Sequence, residues 1–270
     1  MASKEGHPEN GSEKKSPGTH SKKCEVCGQA YRPEFVEFIG GYLHVKDCNC
    51  KTEEDKQREE EERRVKEGKK QSEIIQLIRA AGKRFEGAEL KDFQGSRIGK
   101  IAASYIDKLS EHKENGEGLL FYGSPGNGKT RCAIAIGKEV IRAGYKAKFK
   151  PIPFLLDEIR SSYNSKETDE ENVIKPYKQV DFLLLDDLGA EKWTEWVEAK
   201  LYQIIDYRYR NCLPVIITSN LQGDEIKDTV GYRAFDRLLE ICLFVENDLK
   251  SYREKQAEER IKKEGGGSDD

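Results

Sequence analysis

Residues 123–130 read Gly-Ser-Pro-Gly-Asn-Gly-Lys-Thr and follow directly on the apolar run Gly-Leu-Leu-Phe-Tyr. Gly123, Gly126 and Gly128 allow a tight turn whose backbone N–H groups converge on an anion, and the positive end of a following helix adds to the attraction. In this pattern Lys129 reaches the β and γ phosphates of a nucleotide, and Thr130 offers its hydroxyl to Mg2+. Ser124, Pro125, Asn127 and Arg131 complete the candidate phosphate cradle. A plain turn is the competing reading, but an apolar strand before the loop and a helical pattern after it, Arg131–Gly144, favour a nucleotide site.

A phosphate loop of this kind works with a carboxylate at the end of a neighbouring buried strand. The stretch Asp-Phe-Leu-Leu-Leu-Asp-Asp at 181–187 supplies two. Asp186 is the expected Mg2+ partner, directly or through water, and Asp187 is placed to orient or deprotonate an attacking water. Two acids closing an apolar run would be costly unless a cation or donors met them. The next apolar run ends in Thr-Ser-Asn, so Asn220 projects from the same sheet edge, where an amide can bond the γ phosphate or the water. Arg233 and Arg237 lie four apart on one helical face. Phosphoryl transfer needs a cation at the developing charge, and an arginine from a neighbouring subunit would provide it.

Cys24, Cys27, Cys48 and Cys50 fall within 27 residues, a spacing that reads as a tetrahedral zinc site. Four reduced thiols are the alternative, since the second pair is tighter than the usual Cys-x2-Cys, and His44 could replace one ligand. Cys132, Cys212 and Cys242 read instead as small buried core side chains.

These residues need elements to hold them. Residues 1–22 carry no periodicity and are expected to be a disordered tail, 23–50 to form the zinc module, and 51–84 a charged helical linker. Within the linker, Glu59/Arg63, Glu60/Arg64 and Glu62/Lys66 stand four apart, acid first, and Ile74, Ile75, Leu77 and Ile78 make an apolar stripe leading into the main domain. From 85 to 255 short β-rich runs alternate with helical patterns, which predicts an α/β fold: a five-stranded parallel sheet flanked by helices. The five strands are expected in Gly118–Gly123, Lys146–Pro151, Val180–Asp187, Leu213–Asn220 and Ile241–Glu246. Between the third and fourth, Val197, Leu201, Ile204 and Ile205 line one face of a helix. Residues 256–270 are expected to be a second disordered tail.

Composition sets outer bounds. Acidic residues outnumber basic ones, 50 to 47, for a net charge of -3, which argues against a chain that coats nucleic acid along its whole surface. It leaves room for local basic spots, for which 146–150 (Lys-Ala-Lys-Phe-Lys) and 208–211 (Arg-Tyr-Arg-Asn) are the candidates. No apolar run approaches the roughly 18 residues of a membrane span, and the first residues lack the apolar core of a signal peptide, so a cytoplasmic protein is expected.

Taken in order and spacing, 118–130, 182–189, 215–220 and 231–240 resemble an AAA+ ATPase of the DnaC/DnaI helicase-loader group, which also includes the IstB transposition ATPases. The resemblance implies a P-loop NTPase with a Walker A loop at Gly123 to Thr130 and a Walker B pair at Asp186 and Asp187. It further implies a sensor at Asn220 and an arginine finger in trans at Arg237, with ATP, Mg2+ and Zn2+ as cofactors. Many AAA+ proteins carry Asp-Glu where this chain has Asp-Asp. Few residues follow the last strand, so a full helical lid is absent from the expected fold, and Arg253 is a candidate second sensor. A zinc module ahead of the ATPase resembles the DnaI arrangement and implies a DnaB-type replicative helicase as partner, single-stranded DNA as substrate, and self-assembly or assembly on the helicase ring. An IstB-like ATPase acting with a transposase, a nucleotide-gated binder with little hydrolysis, and a small-molecule kinase are the competing readings.

Overall fold

The computed structural model describes residues 22–46, 48–163 and 169–265, so the expectations for 1–21 and 266–270 lie outside it. The chain divides into two compact units between Glu67 and Gly68.

In the first unit a turn at Glu25–Cys27 leads into an antiparallel hairpin of β1 (Arg32–Val36) and β2 (Gly41–Val45). Phe35 stands opposite Tyr42, with the rings 5.2 Å apart edge to face. Gly40, at φ 58°, makes the left-handed turn between the strands. No alternating pattern announces this hairpin in the sequence, because neither strand has a buried residue: β1 is exposed at four of its five positions and β2 half-buried at four of five. Helix α1 (Glu53–Ala81) starts where Thr52 and Asp55 exchange side-chain and backbone bonds of 3.2 Å, a reciprocal cap. The ion pairs along its exposed face are three residues apart, Glu60–Arg63 and Glu61–Arg64, rather than the four expected. At such exposure either spacing contributes only tenths of a kcal/mol.

The second half of α1 belongs to the second unit, where Ile74 and Leu77 are buried while Ile75 is exposed. There follow α2 (Arg97–Asp107), α3 (Leu109–Asn115), β3 (Gly118–Tyr122), α4 (Lys129–Arg142), β4 (Ala147–Pro151), α5 (Ile152–Ser162), α6 (Glu170–Gln179), β5 (Phe182–Leu188), α7 (Glu195–Arg210), β6 (Val215–Ser219), α8 (Gly223–Val230), α9 (Tyr232–Ile241), β7 (Cys242–Glu246) and α10 (Tyr252–Gly265). The five strands β4-β5-β6-β3-β7 form one sheet, parallel throughout, in the segments where strands were expected.

Helices cover both faces, so the strands read as continuous apolar runs whose side chains alternate between two cores. Leu119, Phe121, Leu184 and Ile216 pack with α2 and α4; Leu120, Leu183, Leu185 and Ile217 pack with α5, α7 and α9. Val197, Leu201, Ile204 and Ile205 of α7 are all buried, as their spacing requires. Cys132 and Cys242 are buried as expected, but Cys212 is exposed in the turn after α7. Residues 256–265, expected to be unstructured, continue α10, which is the one element described after β7.

The other correction concerns Arg208. It is not part of a basic surface spot: it is fully buried, and burial pulls its pKa down to about 9. Its Nη atoms donate to the carbonyls of Tyr177, Lys178, Val180, Asp181 and Pro214 at 2.5–3.1 Å. One guanidinium thus serves the end of α6 and the starts of β5 and β6. Replacing Arg208 with Met, similar in length but without donors, leaves five carbonyls to find other partners. The expected loss is about 3 kcal/mol or more of unfolding free energy, read by chemical denaturation.

Candidate functional site

In an open parallel sheet the ligand crevice lies beyond the C-terminal ends of the strands. The loop after β3 and the ends of β5 and β6 meet there. Gly123 and Gly128 have φ of 116° and 97°, which favour glycine, and a Cβ on Gly123 would come within 2.9 Å of the Asn247 carbonyl oxygen. Gly128 is the residue before α4, so the free N–H groups of that helix open into the loop. Ser124 and Pro125 are exposed, while Asn127 and Lys129 are buried.

The Lys129 ammonium is turned back on its own loop, donating to the carbonyls of Gly123 (2.7 Å) and Ser124 (2.8 Å) and to Asn127 Oδ1 (3.2 Å). Burial draws its pKa down to about 8, against the pull of Asp187 and Asp186. A phosphate would meet an ammonium already desolvated and held by neutral acceptors, which it can replace with a charge-assisted bond. Asn127 is itself fixed from the far end of the chain. Its Nδ2 donates to the Asn247 carbonyl (2.7 Å) and the Nδ2 of Asn247 donates back to the Asn127 carbonyl (3.0 Å). Tyr252 N–H donates to the Gly126 carbonyl (2.9 Å). A Cβ on Gly126 would lie 3.5 Å from Arg253 Cδ, so this arginine, exposed itself, lies over the loop.

Across the crevice, Thr218 donates to Asp186 Oδ1 (2.5 Å), and the Thr130 hydroxyl is near enough to favour the ionised form of this carboxylate. Burial raises the Asp186 pKa despite the Thr218 bond and the nearby Thr130 hydroxyl. Asn220 is exposed and donates to Asp187 Oδ1 (2.5 Å). Lys129, Thr130, Asp186, Asp187 and Asn220 are therefore gathered at one edge of the sheet. The donor set, a hydroxyl beside a carboxylate at the mouth of a loop rich in N–H groups, fits Mg2+ with a nucleotide phosphate.

The comparisons with known proteins bear directly on this site. Residues 57–260 match the family model described as IstB-like ATP binding protein. The chain belongs to this family. The Bacillus subtilis replicative helicase loader DnaI is 24% identical over 226 residues, covering 78% of this chain and 68% of that protein. An insertion-sequence ATP-binding protein of Geobacillus stearothermophilus is 33% identical over 171 residues, covering 61% of this chain and 64% of the relative. Among solved structures, the crystal structure of the DnaC helicase loader superposes with a TM-score of 0.55 at 27% identity, covering 63% of this chain and all of that one. The second unit is thus an AAA+ P-loop fold with an ATP-binding domain.

One residue of this family member lies elsewhere than the sequence suggested. Arg131 does not face the phosphate loop; it bonds Asp92 (2.8 Å) and the Gly87 carbonyl (2.6 Å). With Lys138 and Arg142 it ties residues 86–92 onto α4. That strap brings Phe93 beside the loop, where a Cβ on Gly128 would lie 3.1 Å from its ring. Arg237 is half-buried against α7, 3.4 Å from Asp206 and with its guanidinium 4.5 Å from the centre of the Tyr209 ring. Arg233, on the same face, is exposed. Sequence reasoning missed Thr218, Asn247 and Phe93. Thr218 had one signal, its place two residues before Asn220; the other two had none, because long-range packing brings them to the loop.

In the first unit the sulfurs of Cys24, Cys27, Cys48 and Cys50 all lie within 4.8 Å of one another. Four thiolates about 2.3 Å from one ion would stand nearly that close, so the set fits tetrahedral zinc. The N–H groups of Cys27 and Val26 lower the Cys24 pKa to about 6, while the Cys27 thiol beside it pushes Cys50 up to about 12 and burial raises Cys48. His44 stands on β2 opposite Pro33, outside this group. No helix among the described residues is long and apolar enough to cross a membrane.

Two outcomes follow. Lys129→Ala should weaken ATP binding about 10-fold or more in a fluorescence titration; unchanged affinity would remove the loop from the nucleotide site. Elemental analysis of the purified chain should find about one zinc per molecule, lost in Cys24→Ser. Metal-free wild type would leave the cluster as reduced thiols.

Proposed function

We propose that this chain is an ATP-dependent loader of a hexameric, DnaB-type replicative helicase onto single-stranded DNA. The observation that carries the reading is the extent of the likeness to the DnaI loader, 78% of this chain against 61% for the insertion-sequence protein, in a chain whose ATPase unit is preceded by a four-thiol module. In this reading the thiol module, expected to hold zinc, grips the helicase and the ATPase unit times its release. The domain layout is that of an adaptor joined to a switch by α1.

At the nucleotide site the loop N–H groups and Lys129 would hold the phosphates, while Thr130 and Asp186 would hold Mg2+, which supplies charge neutralisation when bound. Asp187 accepts the proton of the attacking water, and Asn220, now bonded to Asp187, orients that water or the γ phosphate. Asp187 is shorter than the glutamate usual in such sites, so hydrolysis is weak and rises with DNA or partner. Arg237 acts on the nucleotide of a neighbouring subunit, exchanging Asp206 for the phosphate, which makes assembly a condition of turnover. Arg253 contacts the phosphates from above Gly126.

Co-purification of the full chain with the replicative helicase of its own source tests the reading. Binding that survives Lys129→Ala but is lost in Cys24→Ser is the expected result. Failure of the metal-loaded wild type to bind the helicase overturns it and turns the search to a transposase partner, in line with the insertion-sequence relative.

A further inference from the structure

Asp186 and Asp187 are adjacent, and in a regular strand adjacent side chains leave on opposite faces. The ladder between β5 and β6 breaks here. Leu185 pairs with Ile217 and Leu188 with Ser219, so Asp186 and Asp187 together stand opposite Thr218 alone. This two-against-one bulge turns the strand, and Asp187 takes a left-handed φ of 64°, an uncommon conformation for a residue with a side chain. The bulge removes the ladder bond that would have fixed the Asp187 N–H. Thr218 supplies it: its Oγ1 accepts from Asp187 N (3.1 Å) and donates to Asp186 Oδ1 (2.5 Å). Thr218 is 3% exposed, so water is a poor substitute for either bond. The side chain that closes the bulge therefore also fixes the direction of the Asp186 carboxylate.

We propose that Thr218 is a positioning residue of the nucleotide site, whose hydroxyl closes the β5 bulge and aims Asp186 at Mg2+. It acts through Asp186 and touches neither nucleotide nor metal. The inference rests on the reading of Gly123–Thr130 and Asp186 as the Mg2+-nucleotide site. Its signature is therefore specific: losing the hydroxyl uncouples Mg2+ from nucleotide binding and leaves the metal-independent part of the affinity in place. Valine keeps the shape and β-branching of threonine, so β6 can stay packed, while serine keeps the hydroxyl and loses only a methyl.

The test is the affinity of the full chain for a fluorescent ATP analogue, measured in EDTA and in saturating Mg2+, with thermal unfolding followed in parallel. Thr218→Val is expected to lower the ratio of the two affinities by about 10-fold, the scale seen when a metal ligand loses its orienting partner. Its affinity in EDTA should stay at the wild-type value, and Thr218→Ser should keep the wild-type ratio. An unchanged ratio in Thr218→Val overturns the proposal. So does an equal loss in EDTA and Mg2+, or a loss shared by valine and serine, since either marks a merely structural role. Should Thr218→Val not fold, Thr218→Ala is read by the same ratio. Lys129→Ala in the same assay separates the two levels of inference: if it binds as tightly as wild type under both conditions, the nucleotide-site reading itself has failed.

Discussion

Strand β5 is sealed by helices on both faces from Phe182 to Leu185, and its first ionisable side chains come only at Asp186. A carboxylate inside that stretch would be buried without a counter-charge, so the chemistry can begin only where the sheet ends. The same holds for β3, which opens into the phosphate loop, and for β6, which ends just before Asn220. Because all three strands are parallel, their ends lie on one edge. The site is gathered by this burial constraint rather than by any direct attraction among its acids: burial raises the Asp186 pKa, and repulsion from Asp187 adds to it.

What lines the edge comes from further away. The strap 86–92 is pinned to α4 by Arg131, Lys138 and Arg142, and through it Phe93 reaches Gly128. From the other end of the chain, Asn247 exchanges amide bonds with Asn127, which ties the segment after β7 to the loop. Both amides are nearly fully buried, where an unpaired donor or acceptor is costly, so each holds the other in register. The loop is thus braced from before and after the sheet, and a change in its shape on taking up phosphate has a direct route to the segment that carries Arg253.

The first unit follows another logic. No residue of its hairpin strands is buried, Phe38 lies almost wholly in solvent, and such a short segment has little apolar surface to bury. Its four sulfurs lie close together, and a metal held by them would substitute for a core, as in other small modules.

Periodicity and local chemistry determined much of this protein in advance. Five apolar runs separated by helical patterns dictate a covered parallel sheet, and the loop, the acid pair, Asn220 and the cysteines stand at spacings that a linear reading recovers. What it could not recover depends on neighbours distant in the chain. Arg208 looks like a surface cation and is the most buried polar side chain of the α7 turn, because five carbonyls from three elements converge on it. Arg131 follows the loop in sequence but faces the strap, since Asp92 and Gly87 are folded against it. Cys212 reads as core and is exposed, because α7 ends one residue before the turn that carries it. Most telling is the bulge at Asp186 and Asp187: the sequence placed two carboxylates at the end of a strand, but only pairing with β6 decided that both stand against Thr218, because register belongs to two strands and is written in neither alone.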